Sequence, residues 1–302
     1  MTTQNNNLKS SIMFEGFSQH NIKIDNINIH FKVGGQGPFL LLLHGFPQNH
    51  YLWGHIAPLL ASQFTVVCSD LRGYGQSGKP ADVAAYSFRK MAHDQLRLMD
   101  HLTHEKFHLV GHDRGGRTAH RMALDQPDRI ASITLMDIVP THLLLDQLTQ
   151  AMARSYYHWF FLSQPAPFPE TLIGYNPDHY FMSNLAGLCA GDLSLFSTHQ
   201  LNAYKTDWND PDTIRGMCND YRATIDIDFF LDEADLGRSL IIPACVMWGE
   251  KGIVGSHYDP LECWKQWFAN IVGHAMPGGH FFPEHYPEST AEVLHNFLNS
   301  VN

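Results

Sequence analysis

Basic charge is in short supply in this sequence. Lysine and arginine total 20 against 30 acidic residues, a formal net charge of −10. Without a basic patch or stripe, no nucleic-acid partner is expected. Long apolar runs are missing as well: none reaches the roughly 18 residues of a membrane-spanning helix, so no membrane span is expected. The opening "MTTQNNNLKSSIMF" is polar and lacks the apolar region of a secretory signal. There are only five cysteines, Cys68, Cys189, Cys218, Cys245 and Cys263, odd in number and scattered. That fits reduced thiols in a cytoplasmic protein better than a disulfide frame. No internal repeat, low-complexity tract or G-x-G-x-x-G after a strand occurs. "HEKFH" (His104–His108) matches the letters of a zinc motif, which needs both histidines on one helix face. Here a helix ends near Leu102 and a strand starts near Phe107, so neither metal nor cofactor is expected.

What is present is a long alternation of strand and helix. The 302 residues are 44% apolar, enough for one large core or a core plus a smaller unit. "INIHFKV" (Ile27–Val33) alternates with period two. "FLLLLHG" (Phe39–Gly45), "FTVVCSD" (Phe64–Asp70) and "FHLVGHD" (Phe107–Asp113) are apolar runs ending at turns, as buried parallel strands do. "SITLMD" (Ser132–Asp137), "ACVMWGE" (Ala244–Glu250) and "HAMPGGH" (His274–His280) continue the series. Helices are expected over Ser87–Leu102, with Ser87 as cap, and over Ser289–Leu298. Between Thr141 and Arg238 the alternation stops, and the chain becomes aromatic-rich and helical in tone. The pattern divides the chain into a core (1–140), an inserted helical cap (141–238) and the rest of the core (239–302). Sites in open α/β sheets lie at the carboxyl ends of the strands, where such a cap would exclude water.

"LVGHDRGGR" (Leu109–Arg117) reads as a strand entering a sharp glycine turn and leaving as a helix. A nucleophilic serine is the usual occupant of such an elbow, G-x-S-x-G. Asp113 stands there instead, at a helix N-terminus that keeps a carboxylate ionised. Asp113, Asp137 and His280 each fall at or just past the end of an expected strand, so all three can converge on one edge. The acid that orients the histidine often follows the seventh strand in a G-x-x-D stretch. Here that stretch is "WGEKGIVG", with Gly252 in place of the aspartate. Asp137 is the natural substitute and Glu250 the runner-up. Arg114 and Arg117 are i and i+3 on the helix, hence neighbours whose guanidinium forks suit a carboxylate.

The chain resembles the fluoroacetate (haloacetate) dehalogenases of the α/β-hydrolase superfamily. The resemblance rests on "LHGFPQN" (Leu43–Asn49), "DLRGYGQSGKP" (Asp70–Pro80), "LVGHDRGGR", "LMDIVPT", "YHWFFLSQPAPFPE" (Tyr157–Glu170), "DYRA" (Asp220–Ala223) and "PGGHFFPE" (Pro277–Glu284). It implies an α/β-hydrolase fold, a mostly parallel central sheet flanked by helices, with an inserted helical cap. It implies a small halogenated carboxylate as substrate, fluoroacetate or chloroacetate, hydrolysed to glycolate and halide, with a homodimer as the assembly such a chain could form. Asp113 would displace the halide and become an ester, which water activated by His280, oriented by Asp137, would hydrolyse. Backbone N–H groups of Phe46 and Arg114 would hold the oxyanion, and Arg114 and Arg117 the substrate carboxylate. His158, Trp159 and Tyr221 would hold the halide. The family's cap tryptophan falls in the stretch "NLAGLCAGDL" (Asn184–Leu193), where this chain has no aromatic. An epoxide hydrolase would use the same Asp113, with a cap tyrosine (Tyr156, Tyr157, Tyr180 or Tyr221) as acid. A non-catalytic ligand-binding protein on this fold would show a broken triad, whereas all three members are here.

Overall fold

A computed structural model describes residues 13–188 and 193–301. Cys189 and the rest of 189–192, inside the stretch matching the family's cap tryptophan, lie outside the described residues. Eight strands form one sheet: β1 (Ser18–Ile24), β2 (Ile27–Gly35), β3 (Phe39–Leu43), β4 (Thr65–Ser69), β5 (Phe107–His112), β6 (Ile130–Met136), β7 (Ala244–Gly249) and β8 (Ile271–Met276). Their spatial order is β1-β2-β4-β3-β5-β6-β7-β8. β2 runs antiparallel to both its neighbours, and β3 to β8 are mutually parallel. This is the α/β-hydrolase fold anticipated from the sequence, and it gives the strand series one common carboxyl edge.

The apolar runs are buried on both faces because helices cover both. Along β3, Leu41 and Leu43 enter one hydrophobic cluster while Leu40 and Leu42 enter the other. Val67 and Val66 of β4, and Leu109 and Val110 of β5, divide in the same way. A continuous apolar strand is therefore the sum of two period-two patterns, each feeding its own core.

The structure departs from the expected elements in three places. β8 begins at Ile271 rather than His274 and ends at Met276, which leaves 277–280 as a loop carrying His280. The closing helix is Pro287–Ser300, longer at both ends than expected. β1 has no counterpart in the sequence reading, because its exposed face "SQHNIKI" lacks an apolar alternation. The helix after Ser87 runs Phe88–Leu102 with the Ser87 hydroxyl accepting from Lys90 N, as anticipated. His104 lies in a bend and His108 on β5, so "HEKFH" spans no helix. Among the described residues no helix is long and apolar enough to cross a membrane. Between β6 and β7 the described residues are mostly helical, from Thr141–Asp146 to Phe229–Ala234.

Candidate active site

The elbow is shaped by close backbone contact. A Cβ on Gly111 would fall 2.6 Å from the Gly116 Cα, and one on Gly115 would collide with the carbonyls of Leu43 and His44. Only glycine lets strand, turn and helix approach this closely. Asp113 sits at the apex with φ 48° and ψ −115°, capping the helix Arg114–Asp125. Asp137, just past β6, also takes a left-handed backbone, φ 51°. Two non-glycine residues held in this costly region mark a site that the surrounding structure over-determines.

The three residues converge. His280 Nδ1 lies 2.7 Å from Asp137 Oδ2, and His280 Nε2 is 3.9 Å from Asp113 Oδ2. The other oxygen of Asp137 accepts the Gly249 N–H at 2.9 Å. Glu250, the alternative acid, is exposed in the turn after β7. Phe46 N–H donates to Asp113 Oδ1 at 2.9 Å, so the loop after β3 already grips the elbow carboxylate. The Arg114 N–H opens the elbow helix and has no intrahelical acceptor by position. Burial works against ionisation of Asp113, but the neighbouring His280, then His112 and Arg114, outweigh it and hold the carboxyl at about 2. Burial also opposes charge on His280, and its bond and charge interaction with Asp137 reverse this, leaving its pKa raised. His112, unassigned in the sequence, donates from Nε2 to the His280 carbonyl at 2.9 Å and packs on the His280 ring at 4.6 Å.

The two arginines differ. Arg114 directs its fork at Asp220: Nε donates to Oδ2 at 2.9 Å and Nη2 to Oδ1 and to the Thr224 hydroxyl. Tyr74 donates to the same Asp220 Oδ2 at 2.6 Å. The bidentate face that the sequence reading offered to a substrate is thus occupied by the first residue of "DYRA", leaving Nη1 as the guanidinium nitrogen without a partner. Arg117 donates through Nη1 to the Val139 carbonyl at 3.1 Å and the Thr141 hydroxyl at 3.0 Å, while its Nε is buried without a partner. Among the described residues no carboxylate forms an ion pair with Arg117. Burial pulls its pKa down, against the pull of Asp113. Asp220 and Thr141 were legible only as letters within quoted motifs; the roles of such partners depend on packing across the chain.

His158 and Trp159 lie on the helix Tyr157–Leu162, and Tyr221 on Pro211–Ala223; all three are buried. Trp159 and Tyr221 meet edge-to-face at 5.5 Å, and His158 contacts Tyr221 in the same way at 5.7 Å. The His158 ring stacks on Phe46 at 5.7 Å. Arg114 lies 4.2 Å over the Tyr221 ring and Arg117 4.7 Å over Trp159. Among the described residues neither the Trp159 indole N–H nor the Tyr221 hydroxyl has a hydrogen-bond partner. Burial keeps His158 neutral, its pKa lowered to about 3, and lifts that of Tyr221 well above its usual value. Of the other tyrosines weighed, Tyr156 is buried within the field of Asp137, Arg117 and Asp113, whereas Tyr157 is exposed.

Away from the site, His30, His50 and Asp70 offer ligand atoms within 4.8 Å of one another, a grouping the sequence reading did not anticipate. Asp70 is already engaged, by His50 N and Nδ1 at 2.8 Å and Gln76 N at 2.9 Å. Its arrangement is that of a structural carboxylate fixing two loops.

The comparisons agree with this architecture. The family model described as the alpha/beta hydrolase fold matches residues 38–285. A fluoroacetate dehalogenase from Burkholderia sp is 49% identical over 96% of this chain and 96% of its own. A soluble epoxide hydrolase from Corynebacterium sp. (strain C12) is 31% identical over 93% of this chain and 97% of its own. A solved structure from Nostoc sp PCC 7120, assigned to the alpha/beta hydrolases, superposes with TM-score 0.93 at 46% identity, covering 95% of this chain and 99% of that one. With an elbow aspartate in place of serine and a near-complete match to a dehalogenase, the chain belongs to the α/β-hydrolase fold family and, within it, to the group that contains fluoroacetate dehalogenase.

Proposed function

We propose that this protein is a haloacetate dehalogenase, converting fluoroacetate or chloroacetate to glycolate and halide. The observation that carries this reading is Arg117: a buried guanidinium with no carboxylate partner among the described residues, beside Asp113. An uncompensated buried charge is costly. A substrate carboxylate removes that cost, and a neutral epoxide does not. Arg117 Nε and Arg114 Nη1, both unpartnered, are the donors for it. The helices of 141–238 act as the cap that closes over them.

In the first step an Asp113 oxygen attacks the halogenated carbon, the carbon–halogen bond breaks, and the halide leaves with the bonding pair. Low basicity suits this: at about 2, Asp113 is fully ionised at any working pH. Trp159 and Tyr221, with unsatisfied N–H and O–H groups, and neutral His158 stabilise the departing halide. In the second step His280 takes a proton from water, a role suited by the 3.9 Å gap to Asp113, which one water can bridge. The hydroxide adds to the ester carbon of Asp113. Phe46 N–H, already on Oδ1, and Arg114 N–H bind the oxyanion; its collapse expels the glycolate oxygen, which takes the proton from His280, and the Asp113 carboxyl gives up its remaining proton to solvent. Asp137 holds the imidazole tautomer through Nδ1.

The test is a single turnover with chloroacetate in heavy-oxygen water. The new oxygen of the first glycolate comes from Asp113 and should be unlabelled. Full labelling in that turnover would exclude the ester, and halide-free turnover of a neutral epoxide would favour the hydrolase of the Corynebacterium type.

A further inference from the structure

One buried acid near the site has no part in the chemistry above. Glu284 lies four residues past His280 in the chain, on the short helix Phe282–His285. The turn that carries both is closed by Phe282 N to Gly279 O at 3.1 Å and His285 N to Phe281 O at 3.0 Å. Glu284 is 4% exposed, and among the described residues it has no ion-pair partner. Oε1 accepts the Tyr204 hydroxyl at 2.5 Å, and Oε2 accepts the Gln48 carboxamide. Tyr204 belongs to the inserted helix Thr198–Trp208. Gln48 closes the turn after β3, its N–H donating to the Gly45 carbonyl at 3.0 Å. Phe46, whose N–H holds Asp113, lies inside that turn.

A single carboxyl thus fastens the Phe46 turn, the His280 segment and a helix of the insertion. Burying a carboxyl without a cation is expensive, and burial pushes this one up to about 8 despite its two hydrogen bonds. An apolar side chain of the same size would fill the space without that cost, so its presence calls for another reason. We infer that Glu284 is a positioning residue that sets the Phe46 turn against His280. The inference rests on the ester mechanism proposed above. Ester formation uses Asp113 with the arginine and aromatic donors of the elbow helix and insertion. Ester hydrolysis needs, in addition, the His280 base and the Phe46 N–H in mutual register, and these lie on two of the three segments that Glu284 joins.

The experiment is rapid-quench kinetics with chloroacetate, following the chloride burst and the mass added to the Asp113 peptide, in wild type, Glu284→Leu, Glu284→Gln and Tyr204→Phe. In Glu284→Leu the burst rate should hold while ester hydrolysis slows by about tenfold, the effect of stranding a buried hydrogen-bond partner. The alkylated fraction at steady state should rise accordingly. Glu284→Gln should recover most of the loss, since a carboxamide still accepts one bond and can donate to Gln48 Oε1, which is buried without a partner. Tyr204→Phe should fall between. Equal slowing of both steps, or no change in hydrolysis, would overturn the inference. If Glu284→Leu does not fold, Tyr204→Phe and Gln48→Leu decide by the same criterion. A wild-type enzyme that releases halide without ever alkylating Asp113 would instead overturn the ester mechanism itself, and this inference with it.

Discussion

The two halves of the site are held in opposite ways. On the sheet edge each of the three side chains is tied by a hydrogen bond: Asp137 through both oxygens, His280 through Nδ1, Asp113 through Oδ1 to Phe46. On the insertion the rings of His158, Trp159 and Tyr221 are fixed by packing on each other, on Phe46 and on the guanidinium groups, while the Trp159 and Tyr221 polar atoms stay unpartnered. Hydrogen bonds hold a reacting group to a few tenths of an ångström. Packing aims a donor and leaves its hydrogen for a ligand. On the proposed mechanism the first half hydrolyses the ester and the second chooses the substrate. This division accounts for a chain 49% identical to a dehalogenase and 31% identical to an epoxide hydrolase, each matching almost end to end.

The comparison breaks most severely on the sheet side. His280→Asn should release about one halide per active site and then stall, with overall turnover lowered on the order of 10⁴-fold or more and a stable mass on the Asp113 peptide. Steady turnover near the wild-type rate would assign water activation to another group. Asp137→Asn should follow, at roughly 10⁴-fold, because the imidazole loses its tautomer, while exposed Glu250→Gln should leave the rate nearly unchanged. The reverse order would move the acid to the turn after β7. Acid should separate the two steps without mutation. Asp113 stays ionised down to about 2, whereas His280, its pKa raised, is protonated well before that and ceases to act as a base. As pH falls through the His280 titration, ester hydrolysis should fade while the halide burst persists. A burst lost in parallel with turnover would contradict the assignment.

The substrate half should give smaller and more selective losses. Arg117→Ala removes a charge-assisted contact of roughly 1.5–3 kcal/mol, about 10- to 100-fold. Chloroacetate should lose most of that, and chloroacetamide, which has no carboxylate to pair, far less. Equal losses would make the arginine a structural partner of Val139 and Thr141 rather than a substrate ligand.

Much of the sheet half was legible in the sequence, because local signals determine it. An apolar run ending in a turn places Asp113 and Asp137 at strand ends, and glycines at 111, 115 and 116 announce the elbow. The choice of Asp137 over Glu250 rested on a missing aspartate at Gly252, and the structure puts Asp137 Oδ2 2.7 Å from His280 Nδ1. What stayed hidden is long-range. Nothing local says that Asp220, more than a hundred residues away, occupies the fork of Arg114, or that Gln48, Tyr204 and Glu284 meet. The exposed edge strand β1 escaped for the converse reason: one face of it never enters a core, so it carries no apolar pattern to read.

The finest distinction within the substrate half concerns the halogen. Fluoride is small and concentrates its charge, so its departure gains more from each short donor than that of chloride. In a site this enclosed a donor aimed at developing charge acts at low dielectric and needs no reorganisation when the bond breaks. On the proposed reading the Tyr221 hydroxyl and Trp159 N–H are such donors; both are buried and unpartnered among the described residues. Tyr221→Phe keeps the ring that packs on Arg114 and Phe46 and deletes only the hydroxyl, so it removes one hydrogen bond with little loss of shape. A single hydrogen bond is worth about 1 kcal/mol to either halide, several-fold in rate, and more where the acceptor carries concentrated charge. Fluoroacetate turnover should therefore fall more steeply than chloroacetate turnover, by roughly a further factor of ten. Parallel losses would place the hydroxyl off the path of the leaving group. A wild-type protein that releases chloride but no fluoride would show that the donors here are spaced for the larger ion, which keeps the haloacetate reading and narrows it.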